Sequence, residues 1–297
     1  MFEIRTDLAC ELYENAVSRG VREQTENISG IKAVTVTLER DDEQNGKKAG
    51  RYITAETGRI WEAEREEFER ACRAAAGLLA RLFPPIPENG GCFLAVGLGN
   101  GAITSDAVGP RAVSKMLVTR HIKRSDPGLF QSANFGCLAA IAPGVLGQTG
   151  IESSDIVRGA VEACGAHCVI AVDALASRRL SRLGTTLQLT DTGISPGSGV
   201  YNSRHGLDPQ TLGVPVIAIG VPTVVDAATL AFDLLEQAGG KFDDRVGALV
   251  NGAGGRMFVA PKESDVITEK LARFIALSVN LAVHRGLTIS EMQEYTA

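Results

Sequence analysis

The chain of 297 residues is short of the features that mark exported, membrane-bound or nucleic-acid-binding proteins. Its six cysteines (Cys10, Cys72, Cys92, Cys137, Cys164 and Cys168) form no Cys-x-x-Cys pair, and several lie inside apolar runs. They read as small buried hydrophobes in a reducing compartment, not as a disulfide framework. Cys164, His167 and Cys168 look like half of a metal site, but they lead straight into an apolar strand and no second ligand pair exists. No run approaches the roughly 18 apolar residues of a membrane span. The opening Met1-Phe-Glu-Ile-Arg-Thr-Asp7 has no apolar signal core. Basic excess is also missing: a net charge of −5 argues against nucleic acid as a direct ligand, because phosphate contacts need a basic footprint. A serine hydrolase would lack its landmarks, since there is no Gly-x-Ser-x-Gly elbow, and His121, His167, His205 and His284 fall in no triad or metal spacing. Repeats, heptads and low-complexity tails are absent.

What the chain has is short apolar runs ended by glycine or a polar residue. Strands are expected near 92–97, 137–142, 168–173 and 215–221, with a short addition at 186–190. Between them the pattern predicts helices over Asp106–Leu117, Glu152–Cys164 and Pro222–Gln237, and a last helix over Ser264–His284 after the Gly252–Gly255 stretch. Apolar strands alternating with helices predict an α/β fold, in three α/β/α layers around a mostly parallel sheet. Ahead of this core, residues 1–20 read as largely helical. Residues 32–40 and Arg51–Thr57 read as a hairpin around a solvated turn at 41–50, an edge addition over 30–60. Trp61–Phe83 is an amphipathic helix with Trp61, Phe68, Cys72, Ala75, Leu79 and Leu82 on one face, stopped by Pro84 and Pro85. The length suits a single α/β domain over 1–297.

Two aspartates stand where such a fold places its ligands. Asp106 follows the 92–97 strand through Gly97-Leu-Gly-Asn-Gly-Ala-Ile-Thr-Ser-Asp106, and Asp173 closes Cys168-Val-Ile-Ala-Val-Asp173. The crevice beyond the carboxyl ends of parallel strands is the usual binding site, and two carboxylates in one cleft are a recurrent acid/base device. Singly, each also reads as a helix N-cap or turn residue, which aspartate favours. Asn100, Thr104 and Thr223 sit in loops after strands and are candidates to line the cleft. The match of Gly97–Ala102 to a dinucleotide fingerprint lacks the acidic residue expected about 20 positions on, so a Rossmann-type oxidoreductase is an alternative of weaker standing. Asp191-Thr-Gly193 matches the triplet of pepsin-like proteases, but those all-β enzymes use two such triplets, and here Asp191 reads as a turn former.

The chain resembles the germination proteases of endospore-forming bacteria nearly end to end. The resemblance is carried by Arg5-Thr-Asp-Leu-Ala9, Gly50-Arg-Tyr-Ile-Thr54, Val96-Gly-Leu-Gly-Asn100, Thr104-Ser-Asp-Ala-Val-Gly-Pro110 and Thr119-Arg-His121. It continues through Ala142-Pro-Gly-Val-Leu-Gly147, Thr149–Asp155, Asp173-Ala-Leu-Ala-Ser-Arg178, Ile194–Gly199 and Gly220–Ala227. It implies a phosphorylase/hydrolase-like fold related to the hydrogenase maturation peptidases. It also implies an endopeptidase that starts the degradation of small acid-soluble spore proteins during germination, in the cytoplasm of the forespore or spore core. The family's catalytic aspartates map onto Asp106 and Asp173. A zymogen is implied that assembles as a homotetramer and removes a propeptide, here residues 1–7, by cutting its own Asp7–Leu8 bond. No cofactor, direct nucleic-acid contact or membrane contact is expected. A metal-dependent variant like the maturation peptidases would need a third ligand, for which His205 is the one nearby candidate. Between Gln237 and Val259 the chain is shorter than the family pattern.

Overall fold

A computed structural model describes residues 5–13, 20–88, 90–195, 206–240 and 257–295. His205 and Gly252–Gly255 lie outside them. One sheet organises the described chain. Its strands are β1 (Val21–Ile28), β2 (Ile31–Leu38), β3 (Gly50–Glu56), β4 (Phe93–Gly97), β5 (Leu138–Ile141), β6 (Cys168–Ser177), β7 (Thr186–Thr190), β8 (Val216–Asp226) and β9 (Phe258–Val259). They are ordered β1-β2-β3-β7-β8-β6-β4-β5, with β9 on β8.

The expected α/β class holds, but the expectation of a mostly parallel sheet is overturned. Only β5-β4-β6-β8 run parallel. The pairings β1–β2, β2–β3, β3–β7, β7–β8 and β8–β9 are antiparallel and outnumber them. The physical reason is β7: it returns alongside β8 in the opposite sense, Gln188 facing Gly220, and so hands the β2–β3 hairpin an antiparallel partner. β1 was not foreseen. The helix expected over Pro222–Gln237 starts only at Ala227, because β8 runs on to Asp226, whose carboxylate caps the helix by accepting from the Thr229 amide at 2.8 Å. The helix expected over Asp106–Leu117 is a 3₁₀ turn, Thr104–Asp106, followed by a short helix, Val108–Val113. Of the helix expected over 1–20, the described residues hold a single turn, Ala9–Leu12.

Helices cover both faces. Helices Arg65–Ala80, Val108–Val113 and Ser264–Val283 share one core with Ile170, Val172, Leu187 and Leu189. On the other face, Val157 and Val161 of helix Ser153–Cys164 pack with Val169, Ala171 and Leu212. Alternate residues of β6 therefore serve opposite cores, as the two-residue period of a strand requires. The long helix Ser264–Val283 is tied at its end to the loop after helix Val108–Val113: Asn280 Oδ1 accepts from the Leu117 amide at 3.0 Å, and His284 Nε2 lies 2.9 Å from the Leu117 carbonyl oxygen.

Candidate active site

The last pair between β4 and β6 is Gly97 with Val172, so Asp173 stands where β4 ends. The next residue of that chain, Leu98, turns its amide onto the Val172 carbonyl at 2.8 Å. Gly99 follows at φ +106° and lies under Asp106: a Cβ there would overlap the Asp106 carbonyl oxygen and come within 2.9 Å of its Oδ1. Only glycine tolerates both demands. Asn100 completes the stretch by donating its amide to Asp106 Oδ2 at 2.7 Å. Three consecutive residues, Leu98–Asn100, thus fasten the β6 main chain beside Asp173 and cradle Asp106 itself.

Packing leaves this arrangement little slack. A Cβ at Gly97 would strike the carbonyl of Gly109, and one at Gly109 would strike the carbonyls of Leu98 and Val172. The helix that begins after Asp106 therefore meets the strand ends backbone to backbone. From the other side, Thr223 Oγ1 on β8 donates to the Ser105 carbonyl at 2.6 Å, and Thr268 Oγ1 of the C-terminal helix donates to the Thr104 carbonyl at 3.2 Å. Asp173 is 6% exposed, and its Oδ1 accepts from the Ala174 amide at 2.9 Å. Asp106 is half-buried.

The other foreseen residues have specific places. The Asn100 side chain is engaged in joining loops, its Oδ1 accepting from Gln148 Nε2 at 2.8 Å and from the Ala102 amide at 3.0 Å. Thr104 and Thr223 hold the turn that carries Asp106. The dinucleotide-like glycines serve that turn as well: the Asn100 amide, of the kind a pyrophosphate would take, is taken by Asp106. Asp191 is a turn residue, its carboxylate accepting from the Arg51 amide and from Arg51 Nε, both at 2.8 Å. Among the described residues no three His, Cys, Asp or Glu side chains come together as a metal cluster. A cavity of about 540 Å³, lined by Arg120, Lys123, Arg124 and His167, lies at the amino ends of β4 and β5, away from both aspartates.

Asp7 and Leu8 sit in a segment strapped across the sheet. Arg5 donates its amide to Thr229 Oγ1 at 3.2 Å and approaches Asp226 at 3.9 Å. The Asp7 amide donates to the Ala176 carbonyl at 2.9 Å, and Asp7 Oδ2 accepts the Ala176 amide at 2.8 Å. Leu8 is fully buried. Glu11 then accepts from the amides of Arg178 and Arg179 at 2.7 and 3.1 Å, and from Thr6 Oγ1. Ala176 is three residues beyond Asp173 on β6. Two residues outside this segment hold it and escape the sequence reading: Lys47, ahead of β3, and Gln188, on β7, whose side chains both reach the Asp7 carbonyl oxygen.

Comparison with known proteins identifies the family. The family model described as germination protease matches residues 7–246. A germination protease of Caldanaerobacter subterraneus subsp. tengcongensis is 39% identical over 98% of this chain and 97% of its own length. One from Clostridium acetobutylicum is 38% identical over 99% of both. One from Bacillus subtilis is 45% identical over 78% of this chain and 66% of its own length. With these matches spanning both aspartates and the N-terminal strap, the chain is a peptidase and belongs to the germination protease family.

Proposed function

We propose that the protein is the endopeptidase that begins degradation of small acid-soluble spore proteins at germination, with Asp106 and Asp173 as a metal-free dyad. The observation that carries the reading is the Leu98–Asn100 stretch, which binds the main chain beside one aspartate and the carboxylate of the other. One acid is ionised and takes a proton from water; the other is protonated, polarises the scissile carbonyl and then donates to the leaving amine. A coupled pair shares its proton, so the two roles belong to the pair. The enzyme is made as a zymogen in the forespore, assembles as a homotetramer, and loses residues 1–7 by cutting its own Asp7–Leu8 bond. The strapped position of that bond, near the carboxyl end of β6, supports self-cleavage.

The test is incubation of a small acid-soluble spore protein with wild type, Asp106→Asn and Asp173→Asn, with cut sites read by mass spectrometry. Each variant is expected to lose activity by about 10³-fold or more, the scale on which acid–base groups act. Full proteolysis by either would remove that residue from the mechanism. Activity that survives exhaustive chelation supports the metal-free dyad, whereas activity lost and restored by added metal would replace it with the maturation-peptidase chemistry.

A further inference from the structure

The Asp7 carbonyl oxygen receives two side-chain donors, Lys47 Nζ at 2.9 Å and Gln188 Nε2 at 3.0 Å. Gln188 also accepts the Ala9 amide through Oε1 at 2.7 Å, so its amide spans the Asp7–Leu8 bond and the residue beyond it. Gln188 is in register with Gly220 on β8, which is in register with Asp173 on β6. Residues directly opposite on neighbouring strands project from the same face, and two strand spacings are about 10 Å. Asp173 and Gln188 therefore stand on one face of the sheet, with Gly220 between them and the Leu175 side chain packed over that glycine.

Lys47 is the unusual partner. Its ammonium is turned inward, beside the Tyr52 ring with 5.9 Å to the centroid, and burial pushes its pKa down while Asp7 partly offsets this. The ammonium touches the Asp7 carbonyl oxygen directly, and the Asp7 carboxylate supplies the negative charge that acts on it. A half-buried ammonium is a modest match for a neutral peptide carbonyl. It is a good match for the negative oxygen formed when water adds to that carbonyl, and donors fixed in advance at such an oxygen are a large source of rate.

We propose that Lys47 and Gln188 form an oxyanion-stabilising pair for the Asp7–Leu8 bond, and that the two-way hydrogen bonding of Asp7 to Ala176 selects aspartate on its amino side. The inference rests on the self-cleavage reading above. Water loses a proton to the ionised member of the dyad and bonds to the Asp7 carbonyl carbon, and the carbonyl electron pair moves onto the oxygen held by Lys47 and Gln188. Collapse restores the carbonyl, breaks the C–N bond, and the protonated member gives its proton to the Leu8 nitrogen. The new carboxyl group at Asp7 passes its remaining proton to the Leu8 amine, so the products are a carboxylate at Asp7 and an ammonium at Leu8.

The experiment follows the appearance of the Leu8 amino terminus by mass spectrometry in full-length wild type, Lys47→Met, Lys47→Gln, Lys47→Arg and Gln188→Leu, with melting curves for each. Lys47→Met and Gln188→Leu are expected to slow self-cleavage by about 10²-fold while melting cooperatively. Lys47→Gln should fall between, and Lys47→Arg should return to within about tenfold of wild type, because it restores the charge. A merely structural lysine would not order the variants this way. Variants cut as fast as a cut wild type would overturn the inference alone, as would Lys47→Arg being as slow as Lys47→Met in a folded protein. A wild-type chain that degrades a small acid-soluble spore protein but is never cut after Asp7 would remove the self-cleavage reading and the inference with it.

Discussion

Thr223 Oγ1 on β8 donates to the carbonyl of Ser105 at 2.6 Å, so the turn carrying Asp106 is pinned by a strand two places across the sheet from β4. Thr223→Val keeps the shape and removes the donor. The Ser105 carbonyl then lacks this partner, at a cost of about 1 kcal/mol. Because small displacements of reacting groups are expensive, turnover should fall about tenfold or more. Thr223→Ser should restore it. Turnover of a small acid-soluble spore protein and a melting curve check both halves; unchanged turnover in the valine variant would show that the turn holds itself.

Gly99→Ala should be more damaging than an alanine elsewhere in the loop. The residue sits at φ +106°, where a Cβ costs about 1–2 kcal/mol, and it would also overlap Asp106. A lower denaturation midpoint together with lost proteolysis is expected. Gly101, whose nearest neighbour to an added Cβ is Pro110 at 3.7 Å, provides the control, since Gly101→Ala should be mild.

Asp226 caps the helix Ala227–Gln237 and reaches towards Arg5. Asp226→Ala should cost about 1–2 kcal/mol through the lost cap. It should also loosen the first residues of the strap, so that trypsin cuts after Arg5 sooner than in wild type. Equal trypsin rates would separate the cap from the strap.

His284 gives a pH prediction. Its Nδ1 accepts from the Gly136 amide at 3.1 Å and its Nε2 faces the Leu117 carbonyl, which fixes a neutral tautomer; burial lowers its pKa. The unfolded chain, with an ordinary value near 6.5, binds a proton that the folded chain refuses. The neutral ring's contribution is therefore intact above about pH 6.5 and is lost as pH falls from there towards the depressed folded value. Melting temperatures at pH 7.5 and 5.5 should differ more in wild type than in His284→Gln.

The parts of the fold that the sequence betrayed are those where burial is complete. Phe93-Leu-Ala-Val-Gly97 and Cys168-Val-Ile-Ala-Val172 are apolar because both faces are covered, and both strands begin close to where the apolar runs begin, although β6 continues past the expected end at 173 to Ser177. β1, Val-Arg-Glu-Gln-Thr-Glu-Asn-Ile, is largely exposed along its length and carries no apolar alternation to read. Pro222 looked like a helix start, yet it sits inside β8, where the register with β6 shifts between Leu175 and Ala176. Strand direction is invisible to periodicity, so the reversal at β7 went unseen. At the site, Asp106 was legible as an acid in the turn after β4; Asp173 was legible as an acid of the β6 run, but it stands inside β6 and does not close it. Lys47 was hidden in a run of polar residues that reads as solvent-facing, and Gln188 is one amide among the apolar residues of β7.

The bare contact between Gly97 and Gly109 governs how the enzyme can vary. Where side chains separate two elements, evolution or an engineer can adjust the spacing by a methyl group at a time. Here no adjustable layer exists, so the offset between the two acids is fixed by the thickness of the polypeptide itself. Changes in what the enzyme prefers to cut are therefore expected from the surrounding loops and the strap, while the distance between the two proposed acids stays the same.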